Sequence, residues 1–382
     1  MLLLLIIYLA FISLGLPDAV LGSTWPVAYV DLNSSLEFAG VISIVISAGT
    51  VISSLLSSRL IHRFSTGKVM VVSVLLTALA LLGFAFSQSV WTLVLLAIPL
   101  GLGGGAVDAA LNNFVALHYK SKHMNYLHSF WGVGATSGPL IMAIYLNQDQ
   151  GWREGFEVIA AIQFALVLVL LLSISLWSNV KTRHSAESSE SPHLISNTMA
   201  FRIKGVKLQL LTFFCYCSLE AGTGLWAASF LITVKGVEPT QAAFWTSMYF
   251  LGITLGRFFS GFIADYVKEE NSVRVGIFTI LLGVVLMALP GSLVLVKLGL
   301  VLVGLGCAPI YPNTIHLTPK RFGEQASQTI IGLSMATAYV GTTLIPPLLG
   351  LIAVNSSFQV LPMFLLFFVV IMLWSSQRLR QF

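Results

Sequence analysis

Four charged side chains lie where a polypeptide rarely tolerates them. Asp18, Asp108, Glu220 and Arg257 each sit inside a run of apolar residues long enough to cross a bilayer. An ionised carboxylate at that depth costs on the order of several kcal/mol, so such a residue faces a protein interior or a watery cavity and marks an ion or solute route. Asp108 has the most telling surroundings, the run Gly101-Leu102-Gly103-Gly104-Gly105-Ala106-Val107-Asp108 followed by Asn112 and Asn113. Small residues let neighbouring helices approach closely, and glycine also lets a helix flex or break where a pathway needs it. Burial disfavours the charged form of a carboxylate, which suits it to hold a proton while occluded and release it to water. Asp108 is the first candidate for a coupling proton, and Asp18 for a solute contact or a second proton site. Buried charges in membranes usually pair, and Glu220 with Arg257 is expected to be a structural pair.

A polar solute needs amides and hydroxyls for its own hydroxyls and an aromatic face for its apolar side. Asn112, Asn113, His128, Trp131, Trp226, Tyr311, Asn313 and His316 supply these groups. Each alone is more often packing or a membrane-interface residue than a solute contact. As a set they favour a neutral, sugar-like solute. Cys215, Cys217 and Cys307 all fall in apolar runs, and no His/Cys set has zinc-ligand spacing, so neither a disulfide nor a metal is expected. Gly-x-Ser-x-Gly and the phosphate-binding Gly-x-x-x-x-Gly-Lys-Ser/Thr are absent, which argues against an enzyme and against ATP as the energy source. An ion gradient, expected to be H⁺, remains as the drive, and no cofactor is expected.

The elements that hold these residues follow from composition. With 57% hydrophobic and 9% charged residues, the 382-residue chain is an integral membrane protein whose first partner is the lipid bilayer. A net charge of +5 does not by itself imply nucleic acid, because in a membrane protein the placement of basic residues matters more than their sum. Twelve apolar segments have the length that a core of about 30 Å requires. They cover 2–29, 38–60, 69–87, 91–118, 127–147, 155–177, 207–234, 240–265, 274–290, 292–318, 326–353 and 357–376. A bilayer core satisfies no bare backbone, and the segments are too long for barrel strands, so the fold is all-α with twelve transmembrane helices. The run Leu2 to Leu16 lacks a basic leader and reads as the first span rather than a signal peptide. Of the 20 Lys and Arg residues, 16 fall after even-numbered segments or at the C-terminus and three on the opposite side, with Arg257 inside a span. This predicts cytoplasmic termini in a multi-pass protein of the plasma membrane. The serine-rich stretch 178–206 reads as a flexible cytoplasmic linker, dividing a six-helix bundle at 1–177 from a second at 207–382.

The halves echo each other. Asp18 and Gly22 align with Glu220 and Gly224, Gly101-Leu102-Gly103 with Gly304-Leu305-Gly306, and Gly134 and Pro139 with Gly341 and Pro346. Over its whole length the chain resembles a major facilitator superfamily transporter, which implies two pseudo-symmetric six-helix bundles and a solute site near the bilayer midplane. The loop signature of that family, Gly-x-x-x-Asp-Arg-x-Gly-Arg/Lys-Arg/Lys, has a degenerate first copy here, with His62 in place of the acid and Arg63 after it. A second copy runs from Gly261 to Asp265. The resemblance implies structural charge roles for Arg63 and Asp265. Within the superfamily the chain is similar to the fucose permease-like sugar:proton symporters through Asp18 and the set Gly101, Leu102, Gly103, Asp108 and Asn112. It departs from them at Pro17, where Asn is usual, at Asp108, where Glu is usual, and at Asn113, where Pro is usual. The resemblance implies proton-coupled uptake of a sugar or similar small polar solute by a monomer. The competing expectation is a proton-coupled multidrug or metabolite exporter, whose cavity would be broader and more apolar.

Overall fold

A computed structural model describes residues 2–119, 121–146, 151–178, 195–263 and 267–382. All regular structure among them is helical: α1 (Leu2–Asp18), α2 (Val20–Asp31), α3 (Phe38–Phe64), α4 (Thr66–Ala85), α5 (Val90–His118), α6 (Ser121–Tyr145), α7 (Gly151–Leu172), α8 (Ile174–Ser178), α9 (Asn197–Arg202), α10 (Val206–Lys235), α11 (Pro239–Ile263), α12 (Glu269–Ala288), α13 (Leu293–Cys307), α14 (Ile310–Phe322), α15 (Glu324–Asn355) and α16 (Val360–Leu379). Ten stretches are long and apolar enough to cross a membrane, with α1–α2 and α13–α14 each counting as one interrupted span of 30 residues. At 25 residues each, α6 and α11 match the others in length. The expected all-α membrane fold is therefore observed.

The chain forms two compact units. One comprises Met1–Glu187 with Ala227–Ser247, and the other Ser188–Trp226 with Met248–Phe382. In the first, α1, α4, α5, α6 and α7 share a core that includes Ile7, Phe11, Met70, Leu111, Leu127 and Leu170. One end of this unit is clamped by Asp31, which accepts hydrogen bonds from Trp152 Nε1 (2.9 Å) and Arg153, while Arg153 also reaches the Ser87 carbonyl. Ser247 of α11 belongs to this unit and donates to the Thr136 carbonyl of α6 at 2.7 Å.

Glycines set how closely the helices pack, and they do so twice. A Cβ at Gly101 would overlap the Ile46 carbonyl of α3, and one at Gly103 would crowd the Ser73 carbonyl of α4. In the second unit, Gly304 meets the Tyr249 carbonyl and Gly306 the Gly276 carbonyl. Every member of the second set lies 203 positions after its counterpart in the first, so the repeat seen in the sequence is a repeat of backbone contacts. Thr50, Ser53 and Ser54 tighten the α3–α5 seam by donating to the carbonyls of Gly101, Leu102 and Gly105. The glycine run of α5 thus serves helix packing, and α5 runs unbroken for 29 residues where a flexible or broken helix was one expectation.

The end of the 178–206 stretch also differs from the flexible linker expected from its composition. Residues 179–194 lie outside the described set, but from Ile195 onward the chain is docked. Ala200 is buried with Val206, Leu210, Ala326 and Ile330. Ala200, with Ile195 and Ile203 packed beside it, seats the short helix against α10 and α15.

Candidate solute and coupling site

The position of Asp18 is set by an interruption. Pro17 has no N–H, so the carbonyl four residues earlier, on Ser13, loses its partner in the helix. Gln163 of α7, almost fully buried, donates to that carbonyl at 2.6 Å. One turn further on α1 ends at Asp18, Ala19 forms a turn, and α2 begins at Val20. Asp18 is left exposed on its unit, with Trp131 Nε1 donating to its Oδ2 at 2.8 Å. Glycine brings Trp131 within reach. A Cβ at Gly15 would strike the Trp131 carbonyl, and one at Gly134 the Ile12 carbonyl, so α1 and α6 touch backbone to backbone.

Asp108 and Asn112 are one turn apart on α5, and the Asn112 amide donates to both the Asp108 carbonyl (2.9 Å) and Oδ1 (2.8 Å). Asp108 lies within electrostatic reach of Asp18. Neither acid forms an ion pair among the described residues, and the groups that hold them, an indole and an amide, are neutral. His128 packs edge-on against Phe11, with ring centroids 5.6 Å apart. One helical turn and more along the same α1–α6 seam, Tyr8 hydrogen-bonds His123 Nδ1 at 2.8 Å and stacks on Phe130. The side chain of Asn113 lies outside the described set.

The acid of the second unit is placed differently. Glu220 sits in the middle of α10, a helix of 30 residues without a break, and its Oε1 lies 3.3 Å from the Arg257 guanidinium of α11. Arg257 also reaches the Tyr216 hydroxyl at 3.5 Å, and the Tyr249 hydroxyl donates to the Glu220 carbonyl at 3.0 Å. Tyr311, half-buried, packs on Phe213 and Tyr216 and donates to Met335 Sδ. Asn313 lies two residues further along α14, half-buried.

Two expected solute contacts are corrected. Trp226 is fully buried; its Nε1 donates to the Pro346 carbonyl at 2.7 Å, and its ring packs on Phe358. It has no face left for a solute. His316 is exposed midway along α14, one turn before Lys320, and the two share Glu269 at 3.1 and 2.6 Å. Beside them Glu270 pairs with Arg321 and Arg380. His316 thus belongs to a charged cluster joining helix ends, with its imidazole held by a carboxylate. Arg63, in the last turn of α3, rests over the Phe64 ring at 5.3 Å. Asp265 lies outside the described residues.

Several residues of these clusters were not singled out in the sequence. Tyr216 precedes Glu220 by one turn, a spacing that could have flagged it as a partner. Gln163, Tyr8 and His123 carry no such signal, because their partners are remote in sequence.

A helical membrane protein with acids held inside its membrane-spanning segments is a membrane carrier in architecture. The sequence profile of the Major Facilitator Superfamily matches residues 7–335 and again 210–379, and the chain belongs to that family. Among curated relatives, the Bypass of stop codon protein 6 of Saccharomyces cerevisiae is 23% identical, covering 92% of this chain and 77% of that protein. The glucose/mannose transporter GlcP of Bacillus subtilis is 22% identical, covering 90% of this chain and 86% of that protein. The crystal structure of the nucleoside transporter NupG superposes with a TM-score of 0.77 at 14% identity, covering both chains completely.

Proposed function

We propose that this transporter takes up a sugar or similarly small, neutral, polar solute together with protons, by alternating access in the plasma membrane, as a monomer with both termini cytoplasmic. One observation carries the reading. Asp18 and Asp108 lie in membrane-spanning segments of one unit, held by neutral donors and in no ion pair among the described residues. Two carboxylates so placed are cheaper to keep with a proton than to ionise together, and releasing that proton on exposure to water couples transport to a gradient. Glu220, by contrast, lies 3.3 Å from the Arg257 guanidinium, so the acids without a cationic partner are those of the first unit. The indole of Trp131 and the amide of Asn112 offer the mixture of flat apolar face and hydrogen-bonding groups that a sugar ring requires. The kinship with a glucose/mannose transporter supports the same solute class.

Asp108 is the proton carrier in this scheme and Asp18 contacts the solute. Asp108→Asn is nearly isosteric with the protonated acid. In proteoliposomes it should retain counterflow exchange of the solute and lose accumulation driven by an imposed pH gradient, whereas Asp18→Asn should weaken both. Undiminished pH-driven accumulation by Asp108→Asn removes Asp108 from the coupling step. A panel of sugars against lipophilic cations in the same vesicles separates uptake of a polar solute from drug export.

A further inference from the structure

The docked end of the linker carries a feature that transport does not use. Ser196 caps α9, its side chain accepting from the Met199 amide, and Thr329 of α15 donates to the Ile195 carbonyl at 3.0 Å. Beside α9 runs an open groove of about 500 Å³, lined by Ile195, Met199, Ile203, Phe322, Gly323, Gln325 and Ala326. Met199 and Phe201 are 58% and 42% exposed. Arg202, Lys204 and Lys207 follow within six residues, all exposed. None of these three cations forms an ion pair among the described residues.

The depth of the groove follows from its neighbours. The 30 residues of α10 span about 45 Å, the thickness of a bilayer with its headgroups. Residues just before Val206 therefore lie at headgroup level. On the same side of the groove, Phe322 and Ala326 flank the turn at Gly323 that joins two spans, α14 and α15, which puts them at an interface as well. A mostly apolar groove at this level, with the exposed cations Arg202, Lys204 and Lys207 all within four residues of its lining residue Ile203, matches one kind of molecule in both its parts. The cations complement a phosphodiester, and the groove complements an acyl chain. We propose that the α9 groove binds an acidic phospholipid, its phosphate held by Arg202, Lys204 and Lys207 and its acyl chain lying along Met199, Ile203 and Phe322.

The three native cysteines are buried, so a Phe201→Cys variant of the full-length protein takes a bimane label at that position alone. In nanodiscs, phosphatidylglycerol brominated along its acyl chains should quench the label at a lower mole fraction than brominated phosphatidylcholine. Adding Arg202→Gln, Lys204→Gln and Lys207→Gln should raise the phosphatidylglycerol fraction needed for half-quenching more than tenfold, to the phosphatidylcholine level. Lys204→Gln alone should raise it about fivefold, which keeps the test open should the triple variant misfold. Equal quenching by the two lipids overturns the proposal, as does a preference that survives loss of the cations. Absence of quenching by either lipid also overturns it.

Discussion

Asp18 and Glu220 hold corresponding places in the two halves of the sequence, and the protein treats them in opposite ways. Glu220 lies in an unbroken helix, salt-bridged to Arg257 and surrounded by Tyr216 and Tyr249. Asp18 lies at an interruption of its span, exposed on its unit and held by one indole. The fourth span of each half shows the reverse. α5, which bears Asp108, is continuous, while its counterpart is interrupted between Cys307 and Ile310, at Ala308 and Pro309. The position corresponding to Arg257, 203 residues earlier, is Ser54, whose hydroxyl serves the α3–α5 seam. A repeat that conserves its backbone contacts has therefore divided its chemistry: the second half pairs its acid with a cation, and the first holds its two acids with neutral donors.

The sharpest way to break this contrast is to remove the cation. Arg257→Met leaves Glu220 buried without a partner and should destabilise the protein by about 3–5 kcal/mol, whereas Arg257→Met with Glu220→Leu should recover most of that loss. Thermal unfolding in one detergent measures both. Asp18→Asn, which removes no ion pair, should change stability far less than Arg257→Met. Equal losses for the two single variants would show that the acids are not differently compensated.

A smaller effect separates the two helix crossings. Gly134 faces the Ile12 carbonyl at a separation that leaves no room for a methyl group, while a Cβ at Gly341 would lie 2.9 Å from the Phe214 carbonyl and 2.8 Å from the Ser218 hydroxyl. Gly134→Ala should cost about 1–3 kcal/mol as α1 is pushed off α6, and Gly341→Ala less, because its Cβ would only crowd its neighbours where the Cβ at Gly134 would overlap a carbonyl outright. Gly134→Ala should also weaken solute binding, since it displaces Trp131 from Asp18. Matching losses of stability, or unaltered binding by Gly134→Ala, would count against the α1–α6 seam as the device that positions Asp18.

Much of this was legible in the sequence because a bilayer imposes strict rules on length and polarity. The spans were readable from apolar runs, and Asp18, Asp108, Glu220 and Arg257 from the cost of charge within them. The glycine echoes were legible as a pattern, though their meaning as paired backbone contacts needed the helices beside them. Residue type failed for Trp226 and His316. An indole serves a core and a binding site equally well, and only the Pro346 carbonyl and the Glu269 carboxylate show which role each has. Composition likewise misjudged Ile195 to Val206, because polar flanks concealed a buried Ala200.

The smallest predicted effect tests the interruption itself. Pro17 frees the Ser13 carbonyl in a region without water, and the Gln163 amide supplies the missing donor from another helix. Gln163→Leu keeps the size of the side chain and removes the donor, leaving a buried acceptor unpaired at a cost of about 1–2 kcal/mol. The loss should vanish in a Pro17→Ala background, where the residue 17 amide can again reach Ser13, so the two substitutions should be non-additive by nearly the whole single-variant effect. Helix α10 carries no proline and offers no analogous cycle. Restoring the helix should also affect function, because Asp18 follows Pro17 directly and its angle to Trp131 depends on the interruption. Pro17→Ala is accordingly expected to stabilise the protein slightly in a Gln163→Leu background while weakening solute binding in counterflow. Additive stability losses would mean that Gln163 acts through packing alone, and unchanged binding by Pro17→Ala would separate the interruption of α1 from the placement of its acid.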